Sequence, residues 1–271
     1  MTQIIAEIGW NHMGSFELAK EMISAAKESG AHTAKFQYWN PKKLINGPWD
    51  TDGRIEIYKK AYLDEDKVKS LMNFCKMKEI SFLISVFDLE DAKILKRLNI
   101  KNIKIPSHEA YNLKLIDFSL SAFEHVTIST GAISKKELDN LKKLSRNYSD
   151  EKFTILHCVS SYPCEIRSTN LLKIKRLKKI FKNVGYSDHS QSILVPSLAV
   201  MLGAQVIEKH FTTNNELPGR DNKFALEADK FKKMCEMIRN ADESLTDLGD
   251  EPQESEIDII KNYRGRWSKK S

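Results

Sequence analysis

Short apolar runs recur along this chain, and each ends in polar or ionisable side chains. They begin near Ile4, Thr33, Ile80, Asn102, His125, Phe153, Val184 and Val206. Runs this short, separated by helical-period segments, read as buried strands. Between them, helices are expected over Ser15–Gly30, Asp64–Lys78, Leu89–Leu98, Leu113–Phe123, Ser134–Asn147, Ser168–Phe181, Ser192–Leu202 and Ala228–Leu248. Leu18, Met22, Ala25 and Ala26 fall on one face of the first, and Ser15 and Ser134 stand where N-caps belong. Only Tyr38–Leu63 breaks the rhythm. It is rich in Trp, Pro, Gly and Asp, includes Trp39 and Trp49, and is long for a loop in such a fold, which points to a lid or an interface.

Eight strands alternating with eight helices in one chain of 271 residues predict a single-domain α/β fold, a closed (β/α)8 TIM barrel. No dinucleotide-type glycine fingerprint follows the first strand, which argues against an open doubly wound sheet. The barrel is expected over residues 1–248, with a C-terminal tail over residues 249–271. A right-handed crossover makes the last two strands parallel neighbours, so His189 and His210 would sit side by side at one rim.

Barrels of this kind place reacting groups at the C-terminal ends of their strands. Those ends carry Glu7; Lys35 and Gln37; Ser85; Lys104, Ser107 and Glu109; Ser129 and Thr130; His157, Ser160 and Tyr162; Ser187-Asp188-His189; and Lys209-His210. Charges at buried strand positions such as Glu7, Lys35 and Lys104 are costly unless paired or bound to a ligand. Lys35 and Lys104 with the rim serines and Thr130 suit a phosphate and a carboxylate. Glu7, His189, His210 and Asp221 suit a divalent metal and proton transfer. Each histidine alone could merely cap its strand, but the whole rim argues for a small, highly anionic substrate and metal-assisted chemistry.

Composition narrows the class. Hydrophobic residues at 41% and charged residues at 30% describe an ordinary soluble protein. The net charge of +6 comes from 43 basic and 37 acidic residues, and the lysines are scattered over helix faces without exposed aromatics between them. That is a solvated surface and not a nucleic-acid track, although a mild positive bias favours an anionic substrate. No apolar run approaches the ~20 residues that span a bilayer, and no signal peptide precedes the first strand. Cys75, Cys158, Cys164 and Cys235 show no CxxC pairing. Free buried thiols and a cytoplasmic location are expected.

The rim residues also carry a resemblance. Ala6-Glu7-Ile8-Gly9 with Asn11-His12-Met13-Gly14, Lys35-Phe36-Gln37, Lys104-Ile105-Pro106-Ser107-His108-Glu109 and Ser129-Thr130-Gly131 come first. His157 to Pro163, Ser187-Asp188-His189, Glu208-Lys209-His210-Phe211-Thr212 and Pro218-Gly219-Arg220-Asp221 follow, in the family's order. Together they resemble the sialic acid synthases, which condense phosphoenolpyruvate with an N-acetylated hexosamine or related sugar. The resemblance implies a phosphoenolpyruvate-dependent transferase of carbohydrate biosynthesis that makes a nonulosonate-like sugar acid and releases phosphate. By position, His189 and His210 match the ligands of a divalent metal (Mn²⁺, Mg²⁺ or Co²⁺), and Glu7 matches the carboxylate beside the reacting carbons. Lys35, Lys104, Ser107, Ser129 and Ser187 match the phosphoenolpyruvate cradle. Gln37, Glu109, Tyr162 and Asp221 match sugar contacts, and Ser160 lies on the sugar side.

Three departures accompany it. Val86 stands where the family often has threonine, and Ser160 where asparagine is common. The family's C-terminal antifreeze-like domain, which brings an arginine to the partner's site, would begin about where this chain ends. A homodimer is expected by resemblance, with a separate antifreeze-like domain protein as a further partner. Three other functions fit the same rim: a 3-deoxy-sugar-phosphate synthase, a metal-dependent aldolase using pyruvate, and a non-catalytic barrel that binds a sugar or a partner.

Overall fold

Strand β1 (Gln3–Gly9) pairs in parallel with both β2 (Thr33–Tyr38) and β8 (Val206–Thr212), and this closes the sheet into a barrel. Between them run β3 (Ser81–Val86), β4 (Asn102–Ile105), β5 (His125–Ser129), β6 (Phe153–Cys158) and β7 (Val184–Asp188), each parallel to its neighbour. The computed structural model describes residues 1–45, 47, 48, 51 and 53–267. All eight expected strands are present, so the expected (β/α)8 barrel is the fold. A two-residue strand β9 (Leu226–Glu227) adds to the top of β8.

The outer ring holds α1 (Phe16–Glu28), α3 (Glu65–Met77), α4 (Leu89–Arg97), α5 (Leu113–Ala122), α6 (Lys135–Ser145), α7 (Leu172–Lys178), α8 (Val195–Met201) and α10 (Ala228–Ser244). Ser15 and Ser134 accept the N–H groups of Leu18 and Glu137, as N-caps do, and Ser134 forms a full capping box with Glu137. Two helices start later than expected, and α10 ends four residues early, at Ser244. In α7 a 3₁₀ turn (Ile166–Ser168) and Asn170, in the left-handed region at φ 49°, delay the start. In α8 the Ser192 hydroxyl instead accepts the N–H groups of Leu194 and Val195, which holds the helix start beyond it.

The segment expected to be irregular contains a 3₁₀ turn (Pro41–Lys43) and a helix, α2 (Arg54–Ala61). Its Tyr58 stacks on Trp10, with ring centroids 4.3 Å apart, and meets Trp39 edge-on at 4.1 Å. Gly14 lets α2 approach: a Cβ there would lie 2.0 Å from the Lys60 carbonyl oxygen. Trp49 lies outside the described residues. Two further short helices are α9 (Arg220–Phe224), above β8, and α11 (Ile257–Asn262), in the exposed C-terminal stretch.

Strand alternation sorts the side chains into two layers. Outward positions such as Ile4, Ala34, Phe36, Ile84, Ile103, Ile128 and Ile207 join the main core against the helices. The barrel interior is apolar only at its base, around Ile5, Leu83 and Leu156. Gly185 makes room there, since a Cβ would come within 2.6 Å of Leu156 Cδ2 and 2.4 Å of the Val206 carbonyl oxygen. Above that plug the interior turns ionic.

Candidate active site

Four charged side chains from four strands meet inside the barrel. Glu7 (β1), Lys35 (β2), Lys104 (β4) and Glu208 (β8) are each no more than 5% exposed. Glu208 is the hub. Its carboxylate accepts Lys104 Nζ at 2.8 and 2.7 Å and the Ser187 hydroxyl at 2.9 Å, and it pairs with Lys35 Nζ at 3.1 Å. Lys35 also pairs with Glu7 at 3.2 Å and lies 3.3 Å from the Ser85 hydroxyl. Glu7 accepts the Gln37 amide N–H at 2.6 Å. Two ammonium groups and two carboxylates balance, which is how such charges survive burial.

Their proton affinities diverge. Burial pushes Glu7 up to about 6 against the pull of Lys35, and the neighbouring Glu208 charge adds to the rise. Burial acts on Glu208 too, but Lys104 and Lys35 outweigh it and hold the carboxyl well below its ordinary range. Burial brings Lys104 down to about 8, only partly offset by Glu208. Lys35 suffers the same burial, yet Glu208 and Glu7 keep it above its ordinary value. Two carboxyls with separated proton affinities, one fixed as an anion and one poised near neutrality, are equipped for proton transfer.

Beside this cluster lies a ring of hydroxyls. The Ser129 Oγ is buried without a hydrogen-bond partner, and the Ser107 Oγ accepts the Gly131 N–H at 3.1 Å. A Cβ at Gly131 would stand 2.5 Å from Ser160 Oγ, 2.9 Å from Ser107 Oγ and 3.2 Å from Cys158 Sγ, so the glycine keeps this space open. Cys158 lies 3.8 Å from His189 Nδ1. Burial would raise the thiol, but His189, Ser107 and Lys104 together outweigh it and bring the thiol to about 7. All four cysteines are free and buried, as expected.

The two histidines converge as the crossover predicted, with ring centroids 5.4 Å apart. His189 Nδ1 lies 2.7 Å from the Val159 carbonyl and donates to it, so Nε2 is the nitrogen left for a ligand; burial disfavours its charged form, but Cys158 and that carbonyl outweigh burial and raise its proton affinity. His210 Nδ1 is buried without a hydrogen-bond partner and lies 3.7 Å from an Asp221 carboxylate oxygen. Burial, His189 and Lys35 hold His210 neutral, far below its ordinary value. Tyr162 covers the pair, with its ring 4.1 Å from His189, and Phe224 packs 4.9 Å from His210. Burial raises Asp221 to about 6, although Trp10 donates a hydrogen bond to it. Among the described residues no group of three or more His, Cys, Asp or Glu side chains is arranged to hold a metal ion, so the protein's own offer is the imidazole pair.

Most residues expected at the rim therefore meet. Glu7, Lys35, Gln37, Lys104 and Ser187 form one connected network, and Ser107, Ser129 and Ser160 belong to the hydroxyl ring. Tyr162, His189, His210 and Asp221 form the adjoining aromatic end. Glu109 sits on the 3₁₀ turn after β4 (Ser107–Glu109), where its described hydrogen bond comes from Asn112. Glu208 was missed as a site residue, although strand parity places it on the His210 side of β8. By the same parity Asp188 and Lys209 point away from the interior and pair with each other at 2.5 Å.

Known proteins are similar to this chain. The chain is 35% identical to the N,N'-diacetyllegionaminic acid synthase of Campylobacter jejuni, over 96% of this chain and 83% of that one. It is 33% identical to the N-acetylneuraminate-9-phosphate synthase of Drosophila melanogaster, over 97% and 72%. The crystal structure of the N-acetylneuraminic acid synthetase of Leptospira borgpetersenii, in complex with citrate, superposes with a TM-score of 0.87 at 32% identity, covering 99% of this chain and 93% of that one. A truncated 3-deoxy-D-arabino-heptulosonate 7-phosphate synthase from Thermotoga maritima, at 16% identity and a TM-score of 0.69, shares the fold alone. Among the described residues no helix is long and apolar enough to cross a membrane. With the NeuB family model matching residues 22–250, the chain belongs to the NeuB family.

Proposed function

We propose that this protein condenses phosphoenolpyruvate with the aldehyde of an N-acylated amino sugar, forming a nonulosonate-type sugar acid and releasing phosphate. The single observation that carries the reading is the interior cluster Glu7–Lys35–Glu208–Lys104, open to a hydroxyl ring on one side and to the paired imidazoles on the other. Lys35 and Lys104 are the cationic partners for the phosphate and carboxylate of phosphoenolpyruvate. Ser107 and the unpartnered Ser129 hydroxyl supply donors, Ser187 lies at the same rim with its proton on Glu208, and Gly131 allows the ligand to come close to the backbone.

The donor set fits a divalent cation. Two converging imidazoles, one oriented through its other nitrogen by a backbone carbonyl and one with an unpartnered buried nitrogen, are ligands for a divalent ion such as Mn²⁺, Mg²⁺ or Co²⁺ once His189 gives up its proton. His189 and His210 would hold it, with Asp221 nearby. When bound, such an ion supplies Lewis-acid polarisation of the acceptor carbonyl.

The remaining chemistry falls to the chain's own groups. C3 of phosphoenolpyruvate attacks the aldehyde carbon and a C–C bond forms. Water adds at C2, one of its protons passing to Glu7, and the C2–O bond to phosphate then breaks. The protonated Glu7 gives that proton to the former aldehyde oxygen, the second water proton leaves with phosphate as the C2 ketone forms, and Glu208 stays anionic throughout because two lysines and Ser187 hold it. The fixed ammonium groups stabilise charge as it moves onto the leaving phosphate. Gln37, Glu109, Ser160, Tyr162 and Asp221 are the proposed acceptor contacts.

The protein acts as a homodimer in this reading: α8 and its N-cap expose Leu194, Leu198 and Met201, an apolar stripe at helical spacing. The test of the reaction is phosphate release from phosphoenolpyruvate against hexosamines bearing one or two acetamido groups, with and without a phosphate. Release that depends on one such sugar, with a product heavier by the three-carbon acid unit, is expected. Release independent of any sugar, or none across the panel with added Mn²⁺, Mg²⁺ and Co²⁺, would refute it.

A further inference from the structure

The residue before each converging histidine belongs to a buried ion pair on the opposite face of the sheet. Asp188 precedes His189 and Lys209 precedes His210, and the two are direct partners across the β7–β8 register. Both are 1% exposed. Lys209 Nζ donates to Asp188 Oδ2 at 2.5 Å, to the Ser192 carbonyl at 3.1 Å and to the Ser190 carbonyl. All three ammonium protons are thereby used. Asp188 in turn accepts the Tyr186 hydroxyl at 3.0 Å, the Ser190 N–H at 2.9 Å and the Ser190 hydroxyl at 3.0 Å. One side chain from β8 therefore grips the chain immediately before His189, immediately after it and two residues further on.

Such a pair gives no evident gain in stability, because dehydrating two charges offsets their attraction, and an apolar pair of equal volume serves a barrel wall as well. What it supplies is a fixed relation between two strand ends. Successive side chains on a strand point to opposite faces. Pinning Asp188 and Lys209 on the outer face therefore fixes where the next residue of each strand emerges on the inner one. The geometry points to the Asp188–Lys209 pair as a positioning device that sets the separation of His189 and His210 for a shared divalent cation. The cation rests on the proposed function above; the control of imidazole separation does not.

The test uses the full chain with Lys209→Met, Asp188→Asn, the double variant Asp188→Asn/Lys209→Met, and the milder Tyr186→Phe, which removes one hydrogen bond to Asp188. Crystal structures of the variants give the distance between the two ring centroids, 5.4 Å in the native protein. Mn²⁺ titration followed by electron paramagnetic resonance gives affinity for the metal alone. The expected result is altered ring separation in Lys209→Met and in the double variant. The loss in Mn²⁺ affinity should be about 10–100-fold, as for removal of groups that orient ligands, with a smaller loss in Tyr186→Phe. The double variant restores charge balance but not the grip, so it should remain defective; recovery of native affinity there would reduce the pair to charge neutralisation and overturn the inference. Unchanged ring separation in every variant that folds would overturn it as well. If native protein and His189→Ala bind Mn²⁺ equally, the metal reading falls, and the ring separation still decides the positioning role.

Discussion

Replacing Glu7 by glutamine separates what the site needs from what the fold prefers. The carboxyl is buried, and burial outweighs Lys35 to raise it from 4.5 to about 6. At about 1.4 kcal/mol per tenfold change in proton affinity, the ionised form destabilises the folded state by about 2 kcal/mol. Between pH 4.5 and about 6 the folded protein keeps a proton that the unfolded chain releases, so this group's contribution is fully present below 4.5 and is lost as pH rises through 6. Glutamine stays neutral, and its amide oxygen can still accept the Gln37 N–H. Glu7→Gln should therefore match the native protein in stability near pH 4.5 and exceed it by about 2 kcal/mol at pH 8. In a chain of this size that corresponds to a melting temperature higher by about 4–8 °C. Turnover should fall by about 10²–10⁴-fold as a proton-transfer group is lost. Urea unfolding at the two pH values, with phosphate release measured in parallel, gives both numbers. A variant less stable than native at pH 8, or a stability difference that does not change with pH, would mean that burial does not hold the Glu7 proton.

Two other substitutions probe different parts of the molecule. Gly131→Ala places a Cβ 2.5 Å from Ser160 Oγ and 2.9 Å from Ser107 Oγ, and both hydroxyls can rotate aside. Turning Ser107 breaks its bond from the Gly131 N–H, so stability should fall by about 1–3 kcal/mol, while kcat/KM for phosphoenolpyruvate falls by about 10²-fold in the folded variant; full activity would mean that the hydroxyl ring does not hold the ligand. Leu198→Glu puts a charge in the middle of the exposed stripe of α8, and light scattering should show a dimer for the native protein and a monomer for the variant. A native monomer, or an intact dimer in the variant, would show that α8 is not the interface.

Much of this was legible in the sequence because barrel strands are buried on both faces, so Ile4, Thr33 and Val206 each open a recognisable apolar run. The ionisable residues that end those runs were equally visible, and the structure brings most of them together. Parity along a strand was the overlooked signal. In Val206–Thr212 it puts Glu208 and His210 inside and Lys209 outside, whereas proximity in sequence had grouped Lys209 with His210. Helix α2 was not legible because only Ala61 of its residues is buried and its order comes from Trp10 and Trp39, partners outside the segment's own pattern. The orientation of His189 was hidden for the same reason. It depends on the Val159 carbonyl, a backbone group 30 residues away that carries no side-chain signature.

In the proposed reaction the Glu7–Lys35–Glu208–Lys104 cluster directs C–C bond formation at phosphoenolpyruvate with loss of phosphate from carbon. The most direct measurement is turnover of phosphoenolpyruvate labelled with ¹⁸O at the oxygen bridging C2 and phosphorus, followed by mass analysis of both products. Water attack at C2 and breakage of the C–O bond predict that the label leaves with inorganic phosphate. Label retained in the sugar acid would mean that the P–O bond breaks instead, and would contradict the account.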